Sequence, residues 1–553
     1  MSLPRFQARI FDALGPTLTD VHATDIAAHL GAATVTLEAS ELLEDDETHT
    51  QGFLLLANLA ARLYGRIRIV APQGVASRCT SLILGINPDC ELAVRGGDAT
   101  PGVVWGPPRS IDAHIAVLPA QWHITIDERN GDRLPETNTF TAFAAAALAA
   151  GELFRMVFNP FLPAPKRRRE AYRLSLLEFT DRTPVLPTEI SLGRVHLAGA
   201  GAVGQAMVYT LAALPVSGEL VVFDPESVSL SNLQRYVLTN DDDVGKSKTE
   251  LVAKTLTNSN LKCAGVEAPW GIRPDTDHVD VVCTALDSEQ ARIGVQASLP
   301  RAVYNAWTQP SDLGWSRHES FGSDPCLACL YWPRGQRPSQ HAQIARALKE
   351  SELRVLAYLT HGVSVDLALR PEQVPQVAGI PAPSNVSDWS EHSLLNDLAT
   401  KMGVSVRELS AWKGKRIADL YREGICGGAI VGARVGELPV DVAVPLAHQS
   451  VLAGVMLALE LTVARLPDIR SATRAAQEGR LDMMAVPPRI VRVPRQRTPG
   501  CICSDGDFLA RYKEKWSSSP ACPRRSWHQY DLESWSRTDS SLTSCSNEKS
   551  ASL

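Results

Sequence analysis

The sequence lacks the features that mark secreted, membrane-bound and nucleic-acid-binding proteins. Its N-terminus has no basic and apolar succession of the kind that forms a signal peptide, so we predict a cytoplasmic protein. A formal net charge of −6 over 553 residues gives no general attraction to nucleic acid or to an anionic membrane. One apolar run, residues 140–158, contains Glu152 and Arg155 and is barely long enough to span a bilayer. That run therefore predicts a buried core helix.

Cysteine is present in an odd number, eleven, which argues against a disulfide framework. Two close pairs stand out, a CxxC pair at Cys326 and Cys329 and a CxC pair at Cys501 and Cys503. Thiolates at such spacings form zinc half-sites, and together these pairs would close two loops that lie far apart in the sequence. We predict a structural four-thiolate Zn²⁺ site, with free thiols as the alternative.

Pattern and composition divide the chain into five segments. We predict an α/β unit over residues 1–175, a nucleotide-binding domain over 190–335, a helical insertion over 336–430, a closing helix with the second cysteine pair over 431–516, and a disordered tail over 517–553. In the first unit the pattern predicts a helix through 57–64, strands at 66–70 and 82–84, and a terminal helix over 139–158. This unit has no glycine turn suited to binding phosphate.

The most informative stretch is residues 195–204, where an apolar strand runs into a glycine turn that opens a helix. Gly199, Gly201 and Gly204 form the turn, and a second apolar strand ends at Asp224. Such a turn lets backbone N–H groups approach a phosphate, and the helix N-terminus adds positive potential. By itself the turn predicts a nucleotide site and leaves both a dehydrogenase and an adenylating enzyme open.

The residues that follow the second strand distinguish these two classes. A predicted helix over 231–238 places Asn232 and Arg235 on one face, and Lys248 opens the next predicted helix. The third strand leads to Asp287 at its carboxyl end, where open α/β sheets bind ligands.

Hydride transfer requires neither these cations nor the second carboxylate, Asp287. Attack of a carboxylate on the α-phosphate of ATP does require fixed cations, because they stabilise the charge that develops on the phosphoryl oxygens and the departing pyrophosphate. Magnesium held by Asp287 would bridge phosphate oxygens in the oxygen-rich surroundings that this ion prefers. The set therefore favours an adenylating enzyme that uses ATP and Mg²⁺.

Four short motifs occur in order: Asp224-Pro225, SNLQR at 231–235, GKSK at 245–248 and Leu286-Asp287. In this combination the chain resembles the ThiF/MoeB/ubiquitin-activating-enzyme (E1-like) superfamily, closely over residues 190–310 and loosely over a helix at 444–465. The resemblance implies an α/β fold in which a Rossmann-like adenylation domain is preceded by a degenerate, inactive adenylation-like domain.

The resemblance also implies a role for each residue of the set in binding ATP: the ribose for Asp224, the phosphates for Asn232, Arg235 and Lys248, and magnesium for Asp287. Arg235 and Lys248 would also be catalytic, since they would stabilise the charge of the reacting phosphates. The chain departs from the family at Tyr236, where relatives often have glutamine, and this touches a secondary contact only.

Residues 1–175 are similar to the inactive copy in their α/β pattern, their missing glycine turn and their terminal helix. In the family an arginine near the start of this copy reaches across to ATP. Arg5 or Arg9 lies where it is expected, although the usual spacing is off by one, and a surface role is the alternative. Two such halves in one chain would make a pseudo-dimeric monomer sufficient, and a homodimer stays open.

Cys426 is the candidate nucleophile. Gly424, Gly427 and Gly428 predict an exposed, mobile loop around it, in which Arg422 and backbone N–H groups would stabilise a thiolate. It precedes the closing helix, in the region where ubiquitin-activating enzymes keep a transfer cysteine, but it departs from their Pro-x-Cys-Thr pattern. A packing cysteine in a tight turn is the alternative.

We therefore expect an enzyme that adenylates the C-terminal carboxylate of a ubiquitin-like or other small protein. A thioester on Cys426 and transfer to a conjugating-enzyme-like partner would follow. No conjugating domain is recognisable in residues 1–190, because Cys79 and Cys90 lack a supporting motif. Three alternatives stay open: a sulfur-carrier adenylyltransferase of the ThiF or MoeB type without a thioester step, an NAD(P)-dependent oxidoreductase, and a scaffold that binds nucleotide without catalysis.

Overall fold

The computed structural model describes most of the chain, with gaps at both termini and in several loops. The described residues are 23–92, 100–107, 114–128, 133–162, 169–179, 184–271, 279–309, 312–331, 340–351, 354–355, 358–359, 364–365, 394–421, 446–472 and 477–517. Within them, helices flank two β-sheets, one in a first half (residues 23–175) and one in a second half (residues 190–517).

The two sheets have the same strand order. The first sheet contains β1 (Val35–Ala39), β2 (Arg66–Val70), β3 (Glu91–Leu92), β4 (Gly102–Trp105), β5 (His114–Ala120), β6 (His123–Ile126) and β7 (Tyr172–Ser175). The second contains β8 (Ile190–Ala198), β9 (Val216–Phe223), β10 (Leu261–Val266), β11 (Val281–Thr284), β12 (Ala302–Thr308), β13 (Leu313–His318), β14 (Glu478–Leu481) and β15 (Ile490–Val493).

Their orders are β3-β2-β1-β4-β5-β6-β7 and β10-β9-β8-β11-β12-β13-β14-β15, so the second repeats the first and adds β15. The first five strands of each order pair in parallel. The remaining strands pair antiparallel. This confirms the predicted α/β, Rossmann-like class.

The described helices are α1 (Ala23–Ala32), α2 (Glu47–Ala61), α3 (Gln73–Ile86), α4 (Thr139–Val157), α5 (Ala202–Ala212), α6 (Lys248–Thr255), α7 (Glu289–Ala297), α8 (Leu327–Tyr331), α9 (Gln340–Leu348), α10 (Leu394–Met402), α11 (Val406–Ser410), α12 (Ile417–Asp419), α13 (Ala447–Val463), α14 (Pro467–Ala472) and α15 (Gly506–Ser517). Helix α13 is the predicted closing helix, and α4 is its counterpart in the first half.

Helices α4 and α13 join the two halves. Every residue of α13 is buried, and the helix packs against α4, α5 and β12. At Gly454 it comes so close to α5 that a Cβ there would lie 2.6 Å from the carbonyl oxygen of Val203. One hydrophobic core therefore runs through both halves.

Helix α4 is long and apolar enough to cross a membrane by length and composition, and 94% of its apolar window is buried inside the protein. This agrees with the predicted core helix. Its N-cap is Asn138, whose side chain accepts a hydrogen bond from the amide of Thr141 at 3.1 Å.

Helices α9 to α12 lie between β13 and α13, where the sequence predicts a helical insertion. They have a core of their own, separate from the main one, which includes Leu348, Tyr358 and Leu398. The described part of the insertion therefore packs around a small hydrophobic core of its own.

Residues 82–84 lie in helix α3, so the predicted strand there is wrong. Val75, Cys79, Ile83 and Ile86 are the buried residues of this helix, and they recur with helical spacing. A short apolar run does not distinguish a strand from a helix when the longer period is overlooked.

The predicted helix over 231–238 is also wrong. A 3₁₀ turn covers Leu230–Asn232, and non-helical turns follow it. The side chain of Asn232 shapes this turn, because its Oδ1 accepts a hydrogen bond from the amide of Ser229 at 3.0 Å. Asn232 and Arg235 therefore do not lie on one face of an α-helix.

Candidate active site and metal centre

The glycine turn after β8 needs its glycines for two physical reasons. Gly199 has φ +97°, and a Cβ there would lie 2.7 Å from the carbonyl oxygen of Ala285. A Cβ on Gly204 would collide with the carbonyl oxygen of Gly199. Gly201 caps α5 without a side-chain hydrogen bond. The turn therefore brings bare backbone to the N-terminus of a helix, where anions bind favourably.

Asp224 lies directly beneath this turn. Its strand β9 pairs with β8, and Oδ2 of Asp224 accepts a hydrogen bond from the amide of Ala200 at 2.8 Å. Oδ1 accepts a second from the amide of Glu226 at 2.9 Å. Burial raises the pKa of Asp224 above its ordinary value, although Lys248 and the two amide donors act against this. The carboxylate thus fixes the backbone of the turn.

Lys248, the first residue of α6, is buried beside two carboxylates. Its Nζ lies 2.5 Å from Oε2 of Glu226 and 3.9 Å from Oδ1 of Asp224. Burial opposes its charge, but Tyr236 and the two carboxylates outweigh burial and raise the pKa of Lys248. Lys248 is therefore a fixed, buried positive charge next to the turn.

Tyr236 connects this lysine to Arg235 and to the glycine turn. Nζ of Lys248 lies 5.2 Å from the centroid of the Tyr236 ring, and Cζ of Arg235 lies 5.3 Å from it. The Tyr236 hydroxyl would be 3.6 Å from a Cβ built on Gly201. Nη1 of Arg235 is buried and has no hydrogen-bond partner among the described residues. From the sequence alone we expect Tyr236 to make only a secondary contact. No motif or spacing in the sequence marks it as the centre of this group.

Asp287 lies at the same edge of the sheet. The amide of Ala285 donates to the carbonyl oxygen of Ala198 at 2.9 Å, so the chain after β11 runs alongside the glycine turn. Asp287 follows two residues later and is exposed. The carbonyl oxygen of Leu286 accepts a hydrogen bond from the buried Arg292. The predicted position of Asp287 at the carboxyl end of its strand is correct.

This arrangement suits a polyphosphate with a bound divalent cation. Arg235 and the N-terminus of α5 supply positive potential, and Lys248 adds a charge that Asp224 and Glu226 partly balance. Nη1 of Arg235 is buried without an acceptor among the described residues. The exposed carboxylate of Asp287 is a ligand type that Mg²⁺ prefers. Asn232 lies on the same segment as Arg235, with its side-chain oxygen used in the local turn.

The four predicted zinc ligands come together. The sulfur atoms of Cys326, Cys329, Cys501 and Cys503 lie within 4.8 Å of one another, and all four residues are buried. The Sγ atoms of Cys326 and Cys501 are 3.6 Å apart, and those of Cys329 and Cys503 are 3.4 Å apart. Tetrahedral zinc with Zn–S bonds of about 2.3 Å needs sulfurs about 3.8 Å apart. The cluster therefore fits a metal ion of this kind.

The cluster also has an outer contact. The amide of Thr498 donates to Sγ of Cys329 at 3.4 Å, which stabilises negative charge on that sulfur. Several thiolates this close together repel one another unless a cation lies between them.

Three predicted features lie outside the described residues: Cys426, the arginines Arg5 and Arg9, and the tail from residue 518. Their roles stay predictions.

Comparison with known proteins agrees with the geometry of the second half. The sequence pattern of the ThiF family matches residues 188–347. The uncharacterized protein y4jF of Sinorhizobium fredii (strain NGR234) is 30% identical over 550 residues, which cover 94% of this chain and 98% of that protein.

Two relatives with named activities match shorter regions. The SAMP-activating enzyme E1 of Haloferax volcanii is 42% identical over 96 residues, or 17% of this chain and 34% of that enzyme. The sulfur carrier protein ThiS adenylyltransferase of Escherichia coli K12 is 26% identical over 161 residues, or 28% of this chain and 63% of that enzyme. The chain thus spans less than two thirds of either enzyme. With a glycine turn, a cation pair and a family pattern that coincide in its second half, this chain belongs to the ThiF/MoeB/E1-like superfamily.

Proposed function

We propose that this protein uses ATP and Mg²⁺ to adenylate the C-terminal carboxylate of a ubiquitin-like or other small protein. The observation that carries the proposal is the cation pair, Arg235 and Lys248, whose charged groups lie 5.3 and 5.2 Å from the centroid of the Tyr236 ring next to the glycine turn. A dehydrogenase needs the turn alone, whereas phosphoryl chemistry needs positive charge where negative charge develops.

Binding of ATP follows from the position of each group. The phosphates would lie above the bare backbone of Gly199 and Gly201 at the N-terminus of α5. Asp224 would accept hydrogen bonds from the ribose hydroxyls, since it directly follows strand β9, which pairs with β8 next to the turn. Arg235 would direct its unsatisfied Nη1 to a phosphate oxygen. Asp287 would hold Mg²⁺, which neutralises charge on the phosphate oxygens.

The chemical step is an attack of the substrate carboxylate oxygen on the α-phosphorus of ATP. A new oxygen–phosphorus bond forms, the bond to pyrophosphate breaks, and the products are an acyl-adenylate and pyrophosphate. No proton moves at the attacking oxygen, because it is already a carboxylate. Lys248 and Arg235 lower the barrier by stabilising charge on the α-phosphate and on pyrophosphate.

A thioester step on Cys426 extends this proposal. The thiolate of Cys426 would attack the carbonyl carbon of the acyl-adenylate and release AMP. The small protein would then pass to a cysteine of a conjugating-enzyme-like partner. The similarity to a sulfur-carrier adenylyltransferase favours a second candidate, in which activation ends at the acyl-adenylate and Cys426 is structural.

We propose further that the four-cysteine cluster holds a structural zinc ion, and that the first half is an inactive copy of the adenylation domain. The repeated strand order and the paired helices α4 and α13 support the second point. A chain that already contains both halves would act as a pseudo-dimeric monomer, with a homodimer as the alternative.

Thermal stability with different nucleotides tests the central proposal. Wild type should be stabilised by Mg·ATP and not by NAD⁺ or NADP⁺, by about 2.7 kcal/mol at one hundred times the Kd. Asp287→Ala should lose most of this gain. Asp280→Ala is the matched control, because Asp280 is an exposed carboxylate that pairs with Arg301 at 3.3 Å on the same sheet.

A shift with NAD⁺ or NADP⁺ and none with ATP would contradict the proposal and favour an oxidoreductase. If ATP binds but no pyrophosphate is ever released with small proteins that end in glycine, the chain is a nucleotide-binding scaffold. Cys426→Ala separates the two activating reactions. Pyrophosphate release should survive this substitution in both cases. A reductant-sensitive adduct should form in wild type and be lost in Cys426→Ala only when the thioester step exists.

A further inference from the structure

Arg62 of the first half is buried against the loop of the second half that carries Arg235. It follows the last residue of helix α2 and is 1% exposed. Its Nη1 donates to the carbonyl oxygen of Leu233 at 2.5 Å. Its Nη2 donates to the carbonyl oxygens of Val237 at 3.1 Å and Thr239 at 3.0 Å. One guanidinium therefore holds three carbonyls of a single loop.

Asn58, one helical turn earlier, supports this contact. Its Oδ1 accepts a hydrogen bond from Nε of Arg62 at 2.8 Å, and its Nδ2 donates to the carbonyl oxygen of Val237 at 3.0 Å. The arginine and the asparagine thus bind the same loop together from α2.

Burying the charge of Arg62 in this position costs desolvation free energy. Its hydrogen-bond partners among the described residues are one amide oxygen and three carbonyl oxygens, with no carboxylate. Burial accordingly lowers the pKa of Arg62 to about 9. An apolar side chain would avoid this desolvation, so packing alone does not explain the residue.

The held carbonyls lie on both sides of the proposed phosphate-binding residues. Leu233 precedes Arg235 and Tyr236, and Val237 follows them. This stretch is neither helix nor strand, so its carbonyls are not satisfied by a regular hydrogen-bond pattern. The guanidinium donates the hydrogen bonds that these carbonyls do not receive from regular secondary structure. It thereby fixes the position of Arg235 and Tyr236 relative to the glycine turn.

We infer that Arg62 is a positioning residue for the adenylation site, through which the first half fixes the phosphate-binding loop of the second. The inference rests on the proposed function. It assigns the first half an indirect part in the reaction, because Arg62 holds the loop and touches neither nucleotide nor substrate.

Binding of Mg·ATP and of adenosine, measured by calorimetry, tests this role. Arg62→Met should raise the Kd of Mg·ATP about tenfold or more, because hydrogen bonds from a charged donor to the loop are lost. The Kd of adenosine, which has no phosphates, should stay within about twofold. Arg62→Lys should recover part of the affinity, since an ammonium still reaches one or two of the carbonyls. The matched control is Arg66→Met, which removes a partly exposed arginine paired with Glu91.

Hydrogen–deuterium exchange gives a readout that does not depend on the nucleotide. Amides in residues 229–240 should exchange faster in Arg62→Met, while those of β8 and α13 stay protected. Where Arg62→Met does not fold, Asn58→Ala removes only part of the contact and should move both readouts in the same direction.

Unchanged exchange in residues 229–240, or an equal loss of affinity for ATP and adenosine, would overturn the inference. A wild-type protein that binds no Mg·ATP overturns the proposed function and this inference with it. If wild type binds Mg·ATP and the folded variants bind it equally well, the inference alone is wrong.

Discussion

The two halves share a strand order and differ at the loop that follows the first strand of each. In the second half, β8 leads through Gly199-Ala200-Gly201 straight into α5. In the first half, β1 leads to Ser40, which caps a 3₁₀ helix, Glu41–Asp45, before α2 begins at Glu47. The sequence of that 3₁₀ helix, ELLED, is rich in acids where a phosphate site needs bare backbone and positive potential.

A second difference lies at the end of the neighbouring strand in each sheet. Strand β4 of the first half ends in Trp105, which is fully buried against Gly52 and donates from Nε1 to Nδ1 of His49 at 3.3 Å. Its counterpart β11 ends next to the glycine turn and leads to the exposed Asp287. Hydrophobic packing thus keeps the fold in both halves, while the residues that we propose bind phosphate lie in a few loops of the second half.

The largest expected effect comes from a single methyl group in the glycine turn. Gly204→Ala places a Cβ against the carbonyl oxygen of Gly199, so the turn must open. We expect loss of Mg·ATP binding and a fall in stability of about 4 kcal/mol or more, as measured by calorimetry and urea unfolding.

The control for this change lies in the first half. A Cβ on Gly85 of α3 would be 3.8 Å from the nearest atoms of Asn240, so Gly85→Ala should be neutral or slightly stabilising. Equal effects of the two substitutions would mean that the second half is no more constrained than the first.

The cysteine cluster exists only in the second half and gives the next largest effect. Cys501→Ser should abolish the binding of one zinc ion per chain and lower the stability by roughly 3–4 kcal/mol, since a ligand of a buried tetrahedral site is lost. Metal analysis and thermal unfolding measure the two changes. Cys263→Ser, at a half-buried thiol outside the cluster, should leave the zinc content unchanged. Folded wild type without metal would contradict the prediction.

His448 makes the contact between the halves sensitive to pH. It lies at the start of α13, with its ring centroid 6.0 Å from that of Phe154 in α4, and burial lowers the pKa of His448 from 6.5 to about 4. The unfolded chain binds a proton more readily than the folded one between these values. Stability is therefore full above pH 6.5 and falls as the pH drops towards 4.

Urea unfolding at pH 7.5 and pH 5.0 measures this effect, which should be about 2 kcal/mol for His448. His448→Leu should remove that part of the pH dependence. Burial also lowers the pKa of His49 and of His318. The contribution of these two residues to the pH dependence should therefore persist in the variant. An unchanged pH dependence in the variant would exclude His448 as its source.

The smallest effect compares two buried tyrosines. Tyr236→Phe keeps the aromatic ring near Arg235 and Lys248 but removes the hydroxyl at the glycine turn, so the affinity for Mg·ATP should fall by about 1 kcal/mol. The hydroxyl of Tyr64 has no hydrogen-bond partner within the described chain, and Tyr64→Phe should be neutral or stabilising. Titration calorimetry and thermal unfolding distinguish the two. Stronger ATP binding by Tyr236→Phe would show that the hydroxyl obstructs the phosphates.

The features that could be predicted from the sequence are those that depend on residues close together in the chain. The glycine turn, Asp224 and the start of α6 at Lys248 follow from backbone geometry and strand endings that neighbouring residues dictate. The role of Tyr236 and the contact of Arg62 with Leu233 were not predictable in this way. Arg62 is 171 positions from Leu233, and no periodic pattern links them. The helix predicted over 231–238 fails for the same reason, because its carbonyls are held from outside the segment.

The pairing of β13 with β14 has a consequence for the order in which the protein is made. These strands are neighbours in the sheet, yet Trp315 pairs with Gly479 across the whole insertion. A ribosome completes the first sheet at residue 175 and reaches β14 about 300 residues later, on the order of 15–60 s at ordinary rates of synthesis. Until α13 emerges, the apolar surface of α4 that it covers stays open to solvent.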